Sequence, residues 1–272
     1  MSDRFHESVR SIRAPALVWR NRVGVATRSL AMARSFLTAD WRHLLFVNHE
    51  VDRALVQRYV PAGTELDLLD GRALVSIVAF RFLNTRILGV PVPLHRNFDE
   101  VNLRAYVRRK ENGSWKRGVV FVRELVPRPA IAWTARLAYN EPYRAVRMRH
   151  RISMDHATGG SLQYEWRQQG RWHSVSGQVS GAPRPIDPQS HTGFITEHYL
   201  GYTPQRSGRT VEYRVRHPRW NVWEGATTEF RCDVASVYGV DWVTALAGTP
   251  YSAFVCDGAP VGISFPRTLP ID

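Results

Sequence analysis

Lysine, cysteine and long apolar runs are scarce in this chain, and each scarcity excludes a class of protein. The only lysines among the 37 basic residues are Lys110 and Lys116, and all the others are arginines. The two cysteines, Cys232 and Cys256, are too few for a disulfide-rich scaffold or a four-cysteine zinc site. No stretch of 18 apolar residues occurs, which argues against a transmembrane helix.

The chain nevertheless has ample material for a folded core. It is 272 residues long, 44% hydrophobic and 11% aromatic. This composition excludes disorder over most of the length, and the length fits one or two domains.

The motifs of the common cofactor and catalytic sites are also missing. The chain has no glycine-rich dinucleotide or phosphate loop, no His-Glu-x-x-His and no Gly-x-Ser-x-Gly. His191 and His198 are seven residues apart, which suits one helix face, but no third metal ligand accompanies them. We therefore predict neither a metal ion nor a cofactor, and we treat both cysteines as small core residues.

A net charge of +13 would suit a protein that binds a polyanion. The arginines, however, are spread singly over nearly every segment, and no known nucleic-acid-binding motif is present. This spread is typical of biased codon usage and argues against nucleic-acid binding by the folded part of the chain.

Residues 1–39 form a separate basic extension in this interpretation, mobile or helical over about residues 25–37. They carry seven arginines but no continuous apolar run of the kind that a secretory signal needs. The cytoplasm is therefore the expected location. One alternative stays open, in which this arm binds a nucleic acid or an anionic membrane surface.

The middle of the chain alternates between apolar and polar residues with a period of two, as half-buried β-strands do. Val101, Leu103 and Ala105 share one face of the first such segment, and polar side chains occupy the other. Short apolar segments continue to residue 265, and further strands are expected near residues 222–230, 252–256 and 262–265. We predict a mainly β protein of the α+β class, antiparallel, with a few short helices, and a single domain over residues 40–272.

Local signals add detail to this prediction. Asp52 is expected to cap a helix that ends before Pro61, and Asp70-Gly71 to form a tight hairpin turn. A second helix is expected to reach residue 200, and residues 131–139 are expected to form a strand.

Acidic, basic and phenolic side chains are concentrated at three places, and such groups are the components of a small-molecule site. The candidates are Glu100, Asn102, Arg104 and Tyr106 in one row on a strand, then Arg136 and Tyr143, then Glu197 and His198. The row on the strand is either a solvent-exposed face or the polar interior of a closed barrel.

These clusters lie within stretches that resemble the YqjF-like family of uncharacterised bacterial proteins. The resemblance covers about residues 41–225, and its most specific part is Glu-x-Asn-x-Arg-x-Tyr-Val at residues 100–107. The other stretches include Leu45-Phe46, Asp70-Gly71, residues 118–121, Ala135-Arg136, residues 142–145, residues 197–199 and residues 217–220. The family is similar in fold to the acetoacetate decarboxylases, which implies an antiparallel β cone or barrel around a ligand cavity.

The resemblance implies that fold but not the decarboxylases' chemistry. Their nucleophile is a lysine that forms a Schiff base, and the corresponding place here reads Glu141-Pro142-Tyr143-Arg144. A phenol cannot form an imine, and Lys110 and Lys116 lie at a charged hairpin tip. The decarboxylases' acidic pocket residue corresponds to Glu100.

The leading interpretation is a small-molecule pocket for a carboxylate or keto acid, with acid–base rather than imine chemistry. Glu100 is the candidate acid or base, and Tyr143 the candidate hydrogen-bond donor. Arg104 and Arg136 would hold a carboxylate or an enolate, and these arginines should keep Glu100 ionised unless burial outweighs them. Asn102, Tyr106, Glu197 and His198 would complete the binding site. A non-catalytic ligand-binding or protein-interaction module remains the alternative, and a homo-oligomer is left open.

Overall fold

The computed structural model describes residues 35–129 and 140–270, and most of these residues lie in two β-sheets. Within this part of the chain, thirteen strands form the main sheet and four form the second. The main sheet contains β1 (Leu37–Val51), β2 (Glu65–Leu66), β3 (Ala73–Ile87), β4 (Val90–Pro91), β5 (Phe98–Glu111), β6 (Ser114–Val126), β7 (Tyr143–Ala145), β11 (Arg184–Pro185), β12 (Leu200–Pro204), β13 (Thr210–Arg216), β14 (Asn221–Glu224), β16 (Ser252–Ile263) and β17 (Arg267–Thr268). The second contains β8 (Arg147–Asp155), β9 (Gly159–Gln168), β10 (Arg171–Ser180) and β15 (Thr227–Arg231).

The main sheet curls until its strands meet again. Its central order is β16-β1-β3-β5-β6-β12-β13, and β13 pairs back onto β16 through Val215↔Ile263 and Arg216↔Gly262. Almost all neighbouring strands are antiparallel, the exceptions being β6 with β7 and β6 with β12. The predicted mainly β, antiparallel fold is therefore confirmed. Because the sheet curls, one face of each strand points into an enclosed interior.

The outer face of the main sheet packs against the second sheet. The alternation predicted for β5 places Leu103 on this side, fully buried in one core with Tyr164 and Trp166 of β9. This core lies between the two sheets and holds them together. The opposite face of β5 belongs to a second core inside the curl, with Phe46, Phe80 and other aromatic residues.

Irregularities in two long strands change which residues face the interior. In β1, His43 has a φ of 56° and the pairing register shifts between Arg42 and Leu45, so that both Trp41 and Leu44 face inward. In β6, Arg123 pairs with Leu103 and Phe121 pairs with Arg104. Each of these shifts leaves an extra residue in one strand of the pair, which is a β-bulge. A β-bulge bends the strand and reverses the faces taken by the residues that follow.

The helices are short and lie at the ends of strands. The predicted cap is present: Asp52 accepts a hydrogen bond from the Ala54 amide (2.8 Å) at the start of α1 (Arg53–Gln57). The predicted turn is also present, with positive φ at Asp70 and Gly71. The other helices in residues 35–129 and 140–270 that have defined bounds are α2 (His191–Thr196), α3 (Val234–Val237), a 3-10 turn (Val240–Trp242) and α4 (Val243–Ala247). No helix in the described ranges is long and apolar enough to cross a bilayer.

Three local predictions were wrong. Helix α2 ends at Thr196 rather than near residue 200, because Leu200 begins β12 and pairs with both β6 and β13. Two strands predicted at residues 252–256 and 262–265 are one continuous strand, β16. Residues 222–230 form two strands in different sheets. The strand predicted at residues 131–139 and almost all of the predicted N-terminal extension lie outside the described residues.

Candidate functional site

A cavity of about 290 Å³ occupies the interior of the curled sheet. Most of its wall is apolar and aromatic, with side chains from β1, β3, β5 and β6. The apolar lining includes Leu37, Trp41, Val78, Phe80, Phe82, Ile87, Val92, Phe98, Phe121 and Trp220. A smaller group of charged and polar side chains shares the cavity: Glu100, Asn102, Arg104, Glu124, Glu141, Tyr143, Thr196, His198, Tyr213 and His217.

Glu100 is buried at the centre of the polar group. It pairs across the sheet with Phe80, and the alternation of β5 points its side chain into the interior. The Asn102 amide donates a hydrogen bond to Glu100 Oε1 (2.9 Å), and the Tyr143 hydroxyl donates one to Glu100 Oε2 (3.2 Å). The sequence predicted these three residues as parts of one site, and the structure brings them together.

Two further carboxyl groups, which the sequence did not suggest, lie in the same cavity. Glu124 is a register partner of Tyr143 across the β6–β7 pair. Glu141 precedes β7 and accepts a hydrogen bond from the Tyr213 hydroxyl. The ring of Tyr213 fits here because its strand partner is Gly201, where an added Cβ would overlap the ring.

Burial makes these three carboxyl groups poor acids. It raises the pKa of Glu100 to about 7, against the opposing effects of Asn102, Tyr143 and Arg104. Burial and the neighbouring Glu100 raise the pKa of Glu141 to about 8. Burial, Glu141 and Glu100 together raise the pKa of Glu124 well above its ordinary value. The expected ionisation of Glu100 by its arginine neighbours is thus outweighed by burial.

The same surroundings keep Tyr143 neutral. Burial and the three carboxyl groups raise the pKa of its hydroxyl well above the ordinary value. Tyr143 therefore acts as a hydrogen-bond donor or acceptor at physiological pH.

Arg104 is the one arginine among the described residues that line this cavity. Its guanidinium lies over the rings of Phe46 (5.2 Å) and Tyr106 (5.6 Å) and donates one hydrogen bond to the Ile195 carbonyl (3.3 Å). Within the described chain, Arg104 forms no salt bridge, and its buried Nε has no hydrogen-bond partner. A cation held in this way in a largely apolar cavity is an attractive partner for an anion.

His198 contributes a neutral imidazole. Burial lowers the pKa of His198 to about 4, although its hydrogen bond with Asp67 (3.0 Å) acts in the opposite direction. Burial acts to raise the pKa of Asp67, but the contacts from His198 and Arg117 hold it below its ordinary value. Because ionised Asp67 can only accept, the shared proton lies on His198 Nε2 and leaves Nδ1 as an acceptor.

Several lining residues carry a buried polar atom without a hydrogen-bond partner in the described part of the chain. These atoms are Trp41 Nε1, Thr85 Oγ1, Asn102 Oδ1, Arg104 Nε, Glu124 Oε2, His198 Nδ1 and Trp220 Nε1. Buried polar groups are normally hydrogen-bonded, since leaving one unpaired costs about 1–3 kcal/mol. Their concentration around one cavity is typical of a site that receives a polar ligand.

The remaining predicted site residues lie elsewhere. Tyr106 does not line the cavity, and its hydroxyl contacts Ser76 instead. Glu197 accepts hydrogen bonds from the Tyr199 hydroxyl (3.1 Å) and from Arg219 (3.2 Å), and it does not line the cavity. Arg136 lies outside the described residues.

The described lining includes no lysine. Both lysines of the chain belong to the β5–β6 hairpin, where Lys110 is exposed and Lys116 is half-buried.

The raised carboxyl pKa values predict that the folded protein loses stability as pH rises from about 5 to 8. In this range the folded state still holds protons on Glu100 and Glu141 that the unfolded chain has released, so stability falls with pH. For each of these two carboxyl groups, the unfolding temperature should fall by roughly 2–5 °C per unit rise in pH. Thermal unfolding followed across this range checks the slope.

Glu141→Gln should make that slope shallower and raise the unfolding temperature at pH 8, since the amide never ionises and still accepts from Tyr213. Glu65→Gln, at an exposed residue of β2, is the matched control and should keep the wild-type slope. Equal slopes in the wild type and in Glu141→Gln would contradict the assignment.

Comparison with known proteins agrees with this architecture. The family model of DUF2071, an uncharacterized conserved protein, matches residues 38–259. The uncharacterized protein YqjF of Bacillus subtilis (strain 168) is 28% identical over 183 residues, which make up 65% of this chain and 72% of that protein.

Solved structures of low sequence identity share the fold. Acetoacetate decarboxylase from Legionella pneumophila matches with a TM-score of 0.60 and 12% identity, over 86% of this chain and 87% of that one. The enduracididine biosynthesis enzyme MppR, complexed with pyruvate, matches with a TM-score of 0.59 and 14% identity, over 86% of this chain and 90% of that one. These matches confirm the predicted acetoacetate decarboxylase-like fold.

Proposed function

The chain belongs to the DUF2071 family of uncharacterized conserved proteins, and we propose that its cavity binds a small organic acid and catalyses proton transfer at the carbon beside the ligand's carbonyl group. The observation that carries this proposal is Glu100, a buried carboxyl group with a pKa of about 7 in the same cavity as an arginine without a salt bridge among the described residues. A general acid or base works best when its pKa lies near the working pH.

The charges in the cavity favour an anionic ligand. The pKa of about 8 leaves Glu141 mostly protonated at pH 7, the pKa of about 4 leaves His198 neutral, and burial favours the protonated form of Glu124. Beside these groups, the described lining carries the Arg104 cation and a partial negative charge on Glu100. A carboxylate beside Arg104 would therefore meet a site with a net positive charge, despite its three acidic residues.

The proton transfer itself requires only groups of this chain. The ionised Glu100 takes a proton from the carbon beside the carbonyl. The electron pair of that C–H bond forms a carbon–carbon double bond, and the π pair of the carbonyl moves to its oxygen. Arg104 and the protonated Glu124 stabilise the resulting enolate, as a cation and as a hydrogen-bond donor. Glu100 then returns the proton, so that the products balance without a cofactor or co-reactant.

Two facts support the choice of an oxo acid. The structurally similar enzyme MppR was obtained in complex with pyruvate, which is a 2-oxo acid. The absence of lysine from the described lining leaves no amine for an imine, so acid–base chemistry accounts better for the groups present.

Deuterium incorporation from heavy water tests this proposal without knowledge of the natural substrate. Wild-type protein would be incubated with 2-oxobutanoate, 2-oxooctanoate or acetoacetate, and loss of the proton signal beside the carbonyl followed by NMR. We expect exchange at least 100-fold faster than in buffer for one of these acids. Binding without faster exchange of any of them would instead support the alternative, a non-catalytic ligand-binding protein.

Other expectations from the sequence stay part of the proposal. They are a cytoplasmic location and the absence of nucleic-acid binding by the folded domain, while the oligomeric state is left open. The basic arm at residues 1–39 lies almost wholly outside the described residues. Salt-dependent retention on heparin that is lost on deletion of residues 1–34 would assign that role to the arm.

A further inference from the structure

The polar and apolar groups of the cavity occur at different depths. On β5 and β3, the inward-facing register pairs run Arg104↔Ser76, Asn102↔Val78, Glu100↔Phe80 and Phe98↔Phe82. The positive charge therefore lies at one end of the series and the aromatic residues at the other, with Glu100 between them. Three steps of two residues separate Arg104 from Phe98, about 20 Å along the strand.

The Arg104 end of the cavity is closed. Arg104 contacts the Ile195 carbonyl of α2, and the Phe194 ring of the same helix lies 5.6 Å from that of Tyr106. Beyond Arg104, Ser76 donates to Asn48 (2.5 Å) in a buried hydrogen-bond chain. These contacts pack the Arg104 end of the cavity against α2 and against the buried Ser76–Asn48 pair.

The opposite end opens to solvent, and we call it the mouth: Phe36, Leu37, Ile87, Val92 and His95. These lining residues are only partly buried. The surface beside the mouth is apolar as well, with Leu88, Val90 and Leu94 exposed.

An aromatic wall connects Glu100 with the mouth. Phe82 and Phe98 are stacked at 4.5 Å, and Trp41 meets Phe80 edge-on at 5.0 Å. Such a wall gains free energy by covering apolar groups of a ligand, in proportion to the area buried.

We infer that the ligand is a monocarboxylic acid with an elongated apolar body, its carboxylate at Arg104 and its body along the aromatic wall toward the mouth. This inference rests on the proposed function in taking Arg104 as the anion-binding group. It adds that very short acids such as acetate leave most of the wall uncovered. The cavity volume of about 290 Å³ limits the body to a medium-length chain or a single ring system.

Calorimetric binding of straight-chain carboxylates tests the inference. With acetate, butanoate, hexanoate, octanoate and decanoate below their micelle concentrations, we expect affinity to rise about fourfold per added methylene until the chain reaches the mouth. Octanoate should bind at least tenfold more tightly than 1-octanol, which lacks the charge. Affinity independent of chain length, or equal binding of the alcohol, would overturn the inference.

A charge placed at the mouth tests the orientation. Val92→Asp should weaken decanoate binding at least tenfold and leave butanoate within about twofold, since the end of the longer chain lies much nearer to Val92. Val240→Asp, at an exposed valine far from the cavity lining, is the matched control and should change neither. If Val92→Asp does not fold by circular dichroism, Ile87→Asp gives the same comparison. An equal loss for both acids would overturn the orientation.

These results are separable from the proposed chemistry. Chain-length-dependent binding without deuterium exchange would support the elongated ligand and contradict the acid–base function. Exchange of 2-oxobutanoate with no preference for longer acids would do the opposite.

Discussion

Replacing Glu100 with glutamine is expected to slow deuterium exchange into 2-oxooctanoate by about 10²–10⁴-fold, the usual contribution of a general acid or base. The amide keeps the shape of the side chain and can accept from Asn102, but it cannot take a proton from carbon. Binding of octanoate should persist, because the replacement removes a negative charge from the cavity. Exchange rates measured by NMR and binding measured by calorimetry on one preparation separate the two effects.

The pH dependence gives this prediction a second readout. Since Glu100 must be ionised to act as a base and its pKa is about 7, the wild-type rate should rise with pH through that value and level off above it. Glu65→Gln is the control for the change of residue type and should retain full exchange. A Glu100→Gln variant with wild-type exchange would remove Glu100 from the chemistry.

Replacing Arg104 with glutamine is expected to weaken octanoate binding by about 10- to 150-fold, the equivalent of one charge-assisted hydrogen bond. The loss should be similar for butanoate and decanoate, because the substitution affects the head of the ligand and not its body. Calorimetry on all three acids measures this directly. Arg147→Gln, at an exposed residue of β8, should bind like the wild type.

The guanidinium also packs over two aromatic rings, so loss of its packing must be separated from loss of its charge. Arg104→Lys retains a charge with less exact geometry and should recover part of the affinity that Arg104→Gln loses. Wild-type binding in Arg104→Gln, with the fold intact by circular dichroism, would show that the carboxylate binds elsewhere.

The sequence was informative where the strand period is regular. Strand β5 keeps one alternation from Phe98 to Tyr106, so the period alone assigns its polar row to one face of the strand. Whether that face points into a cavity or into solvent could not be deduced in the same way. It depends on the curling of the sheet and on the second sheet, which covers the apolar face.

Glu124 lies where the two-residue alternation of inward and outward side chains is interrupted. Val119 and Phe121 face the cavity, so strict alternation would place Glu124 on the opposite side with Val120 and Val122. The register shift between Leu103 and Arg104 on the partner strand leaves one extra residue in β6 and turns Glu124 inward. No turn residue or proline signals this bulge.

Other site residues depend on long-range contacts that periodicity cannot supply. Glu141 precedes a three-residue strand and belongs to the site because Tyr213, from a distant strand, reaches it. Glu197 was a reasonable candidate beside His198, but Arg219 and Tyr199 satisfy it outside the cavity. Arg136 stays a prediction from the sequence.

A crystal structure of the protein with bound 2-oxooctanoate would show whether the carboxylate lies at Arg104 and the carbonyl group at Glu100. We expect the ligand carboxylate within hydrogen-bond distance of the Arg104 guanidinium, the carbonyl group beside Glu100 and Glu124, and the alkyl chain against Phe82 and Phe98. A carboxylate at the mouth with the chain toward Arg104, or a ligand bound outside the cavity, would contradict it.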